Sequence, residues 1–257
     1  MATTFFRPSL SQGIWATGEP EDGWFYHTMI SNGFNTLGST PDELNSRMTF
    51  SGSTWIEPLG EFGKGYSDFE CHEQVAVRLG TSVTYARIDG PQGSPNAPEN
   101  SQIRLSDGTV ITQTGALAPG VTLTDYDIGL VSFDFAVKHR GVSFSTEFYL
   151  QDLLNLQSTG PIPQSSIFQY GGFAQIGAFV APKKLELYAR TSHVSGPFGT
   201  GSEYAGGLNW FLLPDKQNLR WTFDIANLTN APADQNRTDY QAGQAGWLVR
   251  SQIQIIY

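Results

Sequence analysis

The chain closes on Ser251-Gln-Ile-Gln-Ile-Ile-Tyr257. There Ile253, Ile255 and Tyr257 share one side of an extended strand, and Gln252 and Gln254 share the other. No polar tail follows the last aromatic residue. A domain end left free in water is usually frayed and polar. An apolar side that runs to the final residue suits a strand with one face on hydrocarbon and the other on water.

The same alternation recurs upstream. Residues 11–17, 24–30, 48–57, 75–85, 126–137, 142–154, 170–180, 185–191, 204–212, 219–228 and 247–257 read as strands, about eleven in all. Turn residues cluster at Glu19-Pro-Glu-Asp-Gly23, Lys138-His-Arg-Gly141, Ala181-Pro-Lys-Lys184 and Pro214-Asp-Lys-Gln217. Longer polar stretches fall at 33–45, 89–125 and 229–244. Inside 89–125, Ile103-Arg-Leu105 and Val110-Ile-Thr112 flank Ser106-Asp-Gly108, a hairpin signal. So long an insertion in a compact domain reads as a functional loop. Tight turns alternating with long connections predict an up-and-down meander with its long loops at one end.

Composition narrows the environment. Only 15% of the residues are charged, against about 25% in ordinary soluble proteins, while 13% are aromatic and 28 are glycine. No apolar run approaches the roughly 18 residues of a membrane helix. A chain of this kind can cross a bilayer only as a closed barrel, which pairs all its backbone groups. The expected fold is therefore all-β: an antiparallel up-and-down transmembrane β-barrel, one domain over 1–257 with an inserted loop at about 89–125.

The net charge of -9 argues against a nucleic-acid partner. A single cysteine, Cys71, excludes an internal disulfide. Its neighbours His72 and Glu73 alternate faces on an extended segment and chelate poorly, so this stretch reads as a surface loop and no metal or cofactor is expected. The opening MATTFFRPSL has no basic start, apolar stretch or small-residue cleavage site. The last strand ends on the tight-turn side, so an odd count puts Met1 on the long-loop side. Single-chain bacterial barrels have even counts. The expectation is a chain lacking N-terminal strands and a leader.

Alternation also sorts the side chains. Leu219, Trp221, Phe223 and Ile225 oppose Arg220, Thr222, Asp224 and Ala226. Phe144, Phe148 and Leu150 oppose Ser143, Ser145, Glu147 and Gln151. The predicted water-facing cations are Arg78, Lys138, Arg190, Arg220 and Arg250, and the anions are Glu57, Asp134, Glu147, Glu186, Glu203 and Asp224. Opposite signs on adjacent strands are expected to pair and cancel their field. Tyr126, Tyr170, Tyr204, Trp210, Trp247 and Tyr257 lie near strand ends, as interfacial aromatic girdles do.

A family resemblance rests on phrases spread along the chain. They are Ser11-Gln-Gly-Ile-Trp-Ala-Thr-Gly-Glu-Pro20, Gly33-Phe-Asn-Thr-Leu-Gly38, Thr40-Pro-Asp-Glu-Leu44 and Thr49-Phe-Ser-Gly-Ser-Thr-Trp55. Ser101-Gln-Ile-Arg-Leu-Ser-Asp-Gly108, Gly115-Ala-Leu-Ala-Pro-Gly120, Asp239-Tyr-Gln-Ala-Gly-Gln-Ala-Gly-Trp-Leu-Val-Arg250 and the last strand complete it. Together these resemble the C-terminal portion of the phosphate-selective porin O and P family, in its planctomycete-like branch. The resemblance implies a homotrimeric porin barrel in the bacterial outer membrane. It would be inserted by the barrel-assembly machinery and would pass small hydrophilic solutes, or anions such as phosphate, by diffusion. It also implies that Ile253, Ile255 and Tyr257 act as a C-terminal assembly signal. The mixed signs of the water-facing residues point instead to weak selectivity, because a phosphate filter needs a positive constriction.

Two other readings stand beside it. An outer-membrane phospholipase would use His193 and Ser195 as base and nucleophile. No third orienting residue accompanies them, and no catalytic motif is present, so a non-enzymatic barrel is expected. A secreted β-sandwich carbohydrate-binding module would also alternate, with core on one face and surface on the other.

Overall fold

A computed structural model of the protein describes residues 1–7, 11–34, 47–90, 97–98, 101–213, 216–234 and 239–255. A short helix, α1 (Ala2–Phe5), precedes eleven strands. These are β1 (Gly13–Glu21), β2 (Trp24–Ser31), β3 (Thr49–Ile56), β4 (Ala76–Ile88), β5 (Leu123–His139), β6 (Val142–Ser158), β7 (Ile167–Ala181), β8 (Leu185–Gly196), β9 (Gly199–Phe211), β10 (Leu219–Ala231) and β11 (Gln244–Ile255). They form one sheet in which every strand pairs with its neighbours in sequence, always antiparallel.

The expected all-β meander is present. Its tightest turns have a local cause. Arg140 and Gly141 both have positive φ, 49° and 80°, and they join β5 to β6. That pair of dihedrals matches the right-handed twist of the flanking strands. The predicted hairpin inside the long insertion also forms: Arg104 bridges Val110, and Gly108 turns the chain at φ 93°.

Several boundaries differ from expectation. The first strand does not stop at Thr17. It continues through Pro20 to Glu21, leaving Asp22-Gly23 as the turn. A proline is tolerated because β1 is an end strand of the sheet. The strand read as 185–191 runs on to Gly196, and β9 begins at Gly199, so a two-residue link replaces the expected long loop. The long connections are also not confined to one end. Residues 57–75, between β3 and β4, lie at the same end as the tight turns.

The two faces of the sheet differ in kind. One is bare. Along it run Ile14, Ile30, Phe50, Val83, Phe133, Phe148, Ile176, Leu187, Tyr204, Ile225, Val249 and Ile253, all exposed. The other is covered by α1 and by residues 57–75 and 101–122, and it buries Lys138, Gln151, Gln169, Glu186, Glu203 and Asp224. This is the reverse of a soluble sheet, whose apolar residues are inside and whose ionised ones are outside.

Candidate functional site: the covered face

The strand register fixes which side chains meet on the covered face. Gly80, Asp134, Glu147, Phe173, Ser192 and Glu203 lie in one row across β4 to β9. One step toward the tight-turn end lie Arg78, Ala136, Ser145, Gln175, Arg190 and Ala205. Asp224 pairs Arg250 directly across β10 and β11. The predicted water-facing strand residues therefore share one face, while Glu57 lies just past the end of β3 and accepts from the Phe62 amide.

Most of these charges are partnered. Arg250 Nε donates to Asp224 Oδ1 at 2.8 Å and its Nη2 to Oδ2 at 2.9 Å. Arg190 Nε donates to Glu203 Oε1 at 2.8 Å. Arg78 stands 3.9 Å from Asp134 and lies over the Trp55 ring. The expected pairing across adjacent strands is present at all three places.

Lys138 departs from expectation. It is buried at the end of β5 and does not border open space. Its Nζ donates to the carbonyls of Phe62 and Lys64, at 3.0 and 3.1 Å, and sits over the Phe62 ring. It is a clamp on the 57–75 segment. Glu186 is likewise buried and accepts from the Ser67 hydroxyl at 2.6 Å and the Asn209 amide at 2.7 Å.

The 57–75 segment enters the covered face on these anchors. Asp68 accepts from the Gly141 amide at 2.7 Å, and Phe69 packs against Phe179 and Phe211. Tyr66 packs edge-on to Phe173. Burial pushes the Tyr66 phenol above its ordinary pKa, and the nearby Glu147 and Asp134 carboxylates push it the same way. Cys71 and His72 belong to this segment and are half-buried, so it is not the surface loop expected. The sequence carried one overlooked signal: Phe62, Tyr66 and Phe69 recur in a glycine-containing stretch too apolar for a solvated connection.

At the other end residues 101–122 fold over the strand ends. Leu105 and Ile111 join Ile88, Ile128, Leu153 and Ile167 in a buried cluster. Gln169 donates to the Arg104 carbonyl and the Phe198 amide donates to Ser106. Tyr126, expected at an interface, is fully buried here and bonded to Ser101. Tyr170, Tyr204, Trp210 and Trp247 are exposed on the bare face. α1 lies against β7 and β8, where the Ala2 amide donates to Ser192 Oγ at 2.8 Å and Phe6 stacks on Tyr149.

A cavity of about 220 Å³ beside α1 is lined by Phe6, Arg7, Glu147 and Tyr149, and two further cavities are bordered by Tyr66. One, of about 320 Å³, is lined by Trp55, Arg78, Asp134 and Glu147. The other, of about 570 Å³, is lined by Arg190, Arg220, Asp224 and Arg250.

His193 and Ser195 lie within β8, and the Ser195 hydroxyl is bonded to Thr200 at 3.0 Å. No hydrogen bond joins the two among the described residues. Ile253 and Ile255 are exposed on the bare face, while Tyr257 lies outside the described residues. No protein-family profile matches the chain, and no curated protein matches it.

Proposed function

We propose that the protein is an outer-membrane porin whose bare face meets lipid and whose covered face lines a water-filled passage. One observation carries the reading. Exposed apolar side chains recur on one face from Ile14 in β1 to Ile255 in β11, while the opposite face buries Lys138, Glu186, Glu203 and Asp224. A local docking patch does not extend over a whole sheet. A sheet meeting hydrocarbon must, because each exposed polar group there is costly. The strands of β4 to β11 have 12 to 17 residues, enough for a tilted crossing that needs about 9–11. The 57–75 segment narrows the passage, and the two cavities beside Tyr66 are its polar paths.

Reconstitution tests this. The protein should require detergent or lipid for solubility and should raise the ionic conductance of a planar bilayer. Full solubility without detergent and an unchanged bilayer current would sink the reading in favour of a soluble β module.

A further inference from the structure

The strand register puts Phe25, Trp55, Gly80, Asp134, Glu147 and Phe173 in one row across β2 to β7 on the covered face. Two carboxylates therefore stand side by side in a row that has aromatic rings at both ends. Gly80 has no side chain, and one added there would strike the Asp134 carboxylate, which leans across β4 toward Trp55. The next row toward the long-loop end carries hydroxyls, with Ser53, Ser82, Ser132 and Tyr149 in succession across β3 to β6. The cavity of about 320 Å³ in front of these rows and the cavity of about 220 Å³ beside α1 share Ser82 and Glu147 in their walls. Their charged lining is balanced: Asp134 and Glu147 against Arg78 and Arg7.

Balanced charge favours ions of neither sign. An anion meets two carboxylates. A cation meets Arg78, whose guanidinium already lies 4.8 Å from the centre of the Trp55 ring. Hydrogen bonding and aromatic surface are left to recognise a solute. An ionised carboxylate only accepts hydrogen bonds, and a guanidinium only donates them. A neutral solute with several hydroxyls can donate to the first and accept from the second. Its donors would also relieve the repulsion of like charges placed directly opposite each other. Trp55 is stacked on Phe25, and Phe62 and Phe173 are buried. Tyr66 is exposed at the cavity wall and supplies the open ring face. Aromatic faces are electron-rich and attract C–H edges. A pyranose ring presents such C–H groups on a flat face, and an open-chain polyol holds none in place.

We propose that the cavity bordered by Tyr66, Asp134 and Glu147 is a subsite for a neutral pyranose sugar. Tyr66 carries the apolar face of the ring, Asp134 and Glu147 accept from its hydroxyls, and Arg78 donates to its oxygens. The volume of about 320 Å³ is at the lower end for small-molecule sites and suits a single ring. The assignment rests on the pore reading, which brings water and solute to the covered face. It differs from a phosphate filter, because it needs no excess of positive charge.

Saturation-transfer NMR tests it on protein solubilised in a detergent without a sugar headgroup. Methyl β-glucopyranoside should show saturable transfer, strongest at its axial ring protons, with a Kd of about 1–10 mM for a ligand of this size. Sorbitol, an open-chain hexitol, should show none. Inorganic phosphate and butylammonium in excess should not displace the sugar. Tyr66→Phe should keep the binding, and Tyr66→Leu should weaken it about fivefold, the size of one aromatic contact. Glu147→Met should weaken it about tenfold, the size of one hydrogen bond to a charged group. Tyr66 sits on a connection, so its variants leave the strands intact even where Glu147→Met does not fold. Absence of saturable transfer, equal transfer to sorbitol, binding unchanged in Tyr66→Leu, or displacement by phosphate or butylammonium would overturn the proposal. None of these measurements uses the bilayer current, so failure of the subsite and failure of the pore are separate outcomes.

Discussion

Arg250 and Asp224 form a two-pronged ion pair across β10 and β11, and the Tyr188 hydroxyl donates a third bond to Asp224 at 2.9 Å. Both charged side chains are largely out of solvent, at 18% and 7% exposed. Removing one partner strands the other in a poorly solvated place. Arg250→Met should cost about 3–5 kcal/mol in the unfolding free energy of the lipid-embedded protein. The double variant Arg250→Met/Asp224→Leu should recover much of that. A double variant as unstable as the single would show that the pair stabilises more than the charge it leaves behind.

On the pore reading, the same pairing should govern ion selectivity. Arg190 and Arg250 are spent on Glu203 and Asp224, so their field in a passage along the covered face would be small. Reversal potentials in a salt gradient should show little preference between potassium and chloride. Strong anion selectivity that collapses on Arg220→Ala or Arg250→Ala would reverse this expectation and favour a phosphate filter.

Lys138 should control the width of the passage. Its ammonium holds the Phe62 and Lys64 carbonyls, so Lys138→Met releases two bonds of the 57–75 segment. Single-channel conductance should rise, and proteolysis near Lys64 should become faster. Unchanged conductance and unchanged cleavage would mean that the Ser67–Glu186 and Asp68–Gly141 bonds suffice.

The two faces can be told apart by labelling. In a Cys71→Ser background, Thr222→Cys should react with a charged, membrane-impermeant thiol reagent. Ile225→Cys should be protected in lipid. An arginine at Ile176 should cost roughly 2–4 kcal/mol if that residue sits near the bilayer midplane. Protection at 222 with reaction at 225 would invert the assignment of the faces.

Deletion of Tyr257 should sharply lower the yield of heat-modifiable, folded protein in the outer membrane. Normal yield after the deletion would remove the C-terminal signal from the account.

The strands were readable because alternation is a direct imprint of a sheet with unlike faces. Arg220, Thr222 and Asp224 against Trp221 and Ile225 is such a case, and the register agrees with it. The adjacent-strand pairs were readable for the same reason. What fills the covered face was not. Nothing local in Phe62 or Tyr66 says that a connection turns back over the sheet, since that depends on contacts such as Ser67 with Glu186, 119 residues apart. Tyr126 misled because an aromatic near a strand end has the same sequence signature whether it faces an interface or a buried loop. Gly199 and Gly201 read as loop, yet both sit in β9, where a side chain at 201 would strike the Asn230 backbone and Pro232.

The sheet and its filling belong to different length scales of the chain. Every strand pair joins neighbours in sequence. The Ala2–Ser192 and Phe62–Lys138 bonds span 190 and 76 residues. Chain segments close together in sequence meet quickly, and distant ones slowly. The hairpins are therefore set to zip one after another, with α1 and the 57–75 segment arriving into a wall already raised. In a refolding experiment the β-sheet signal should appear first, and resistance to solute flow should develop in a later, separate phase.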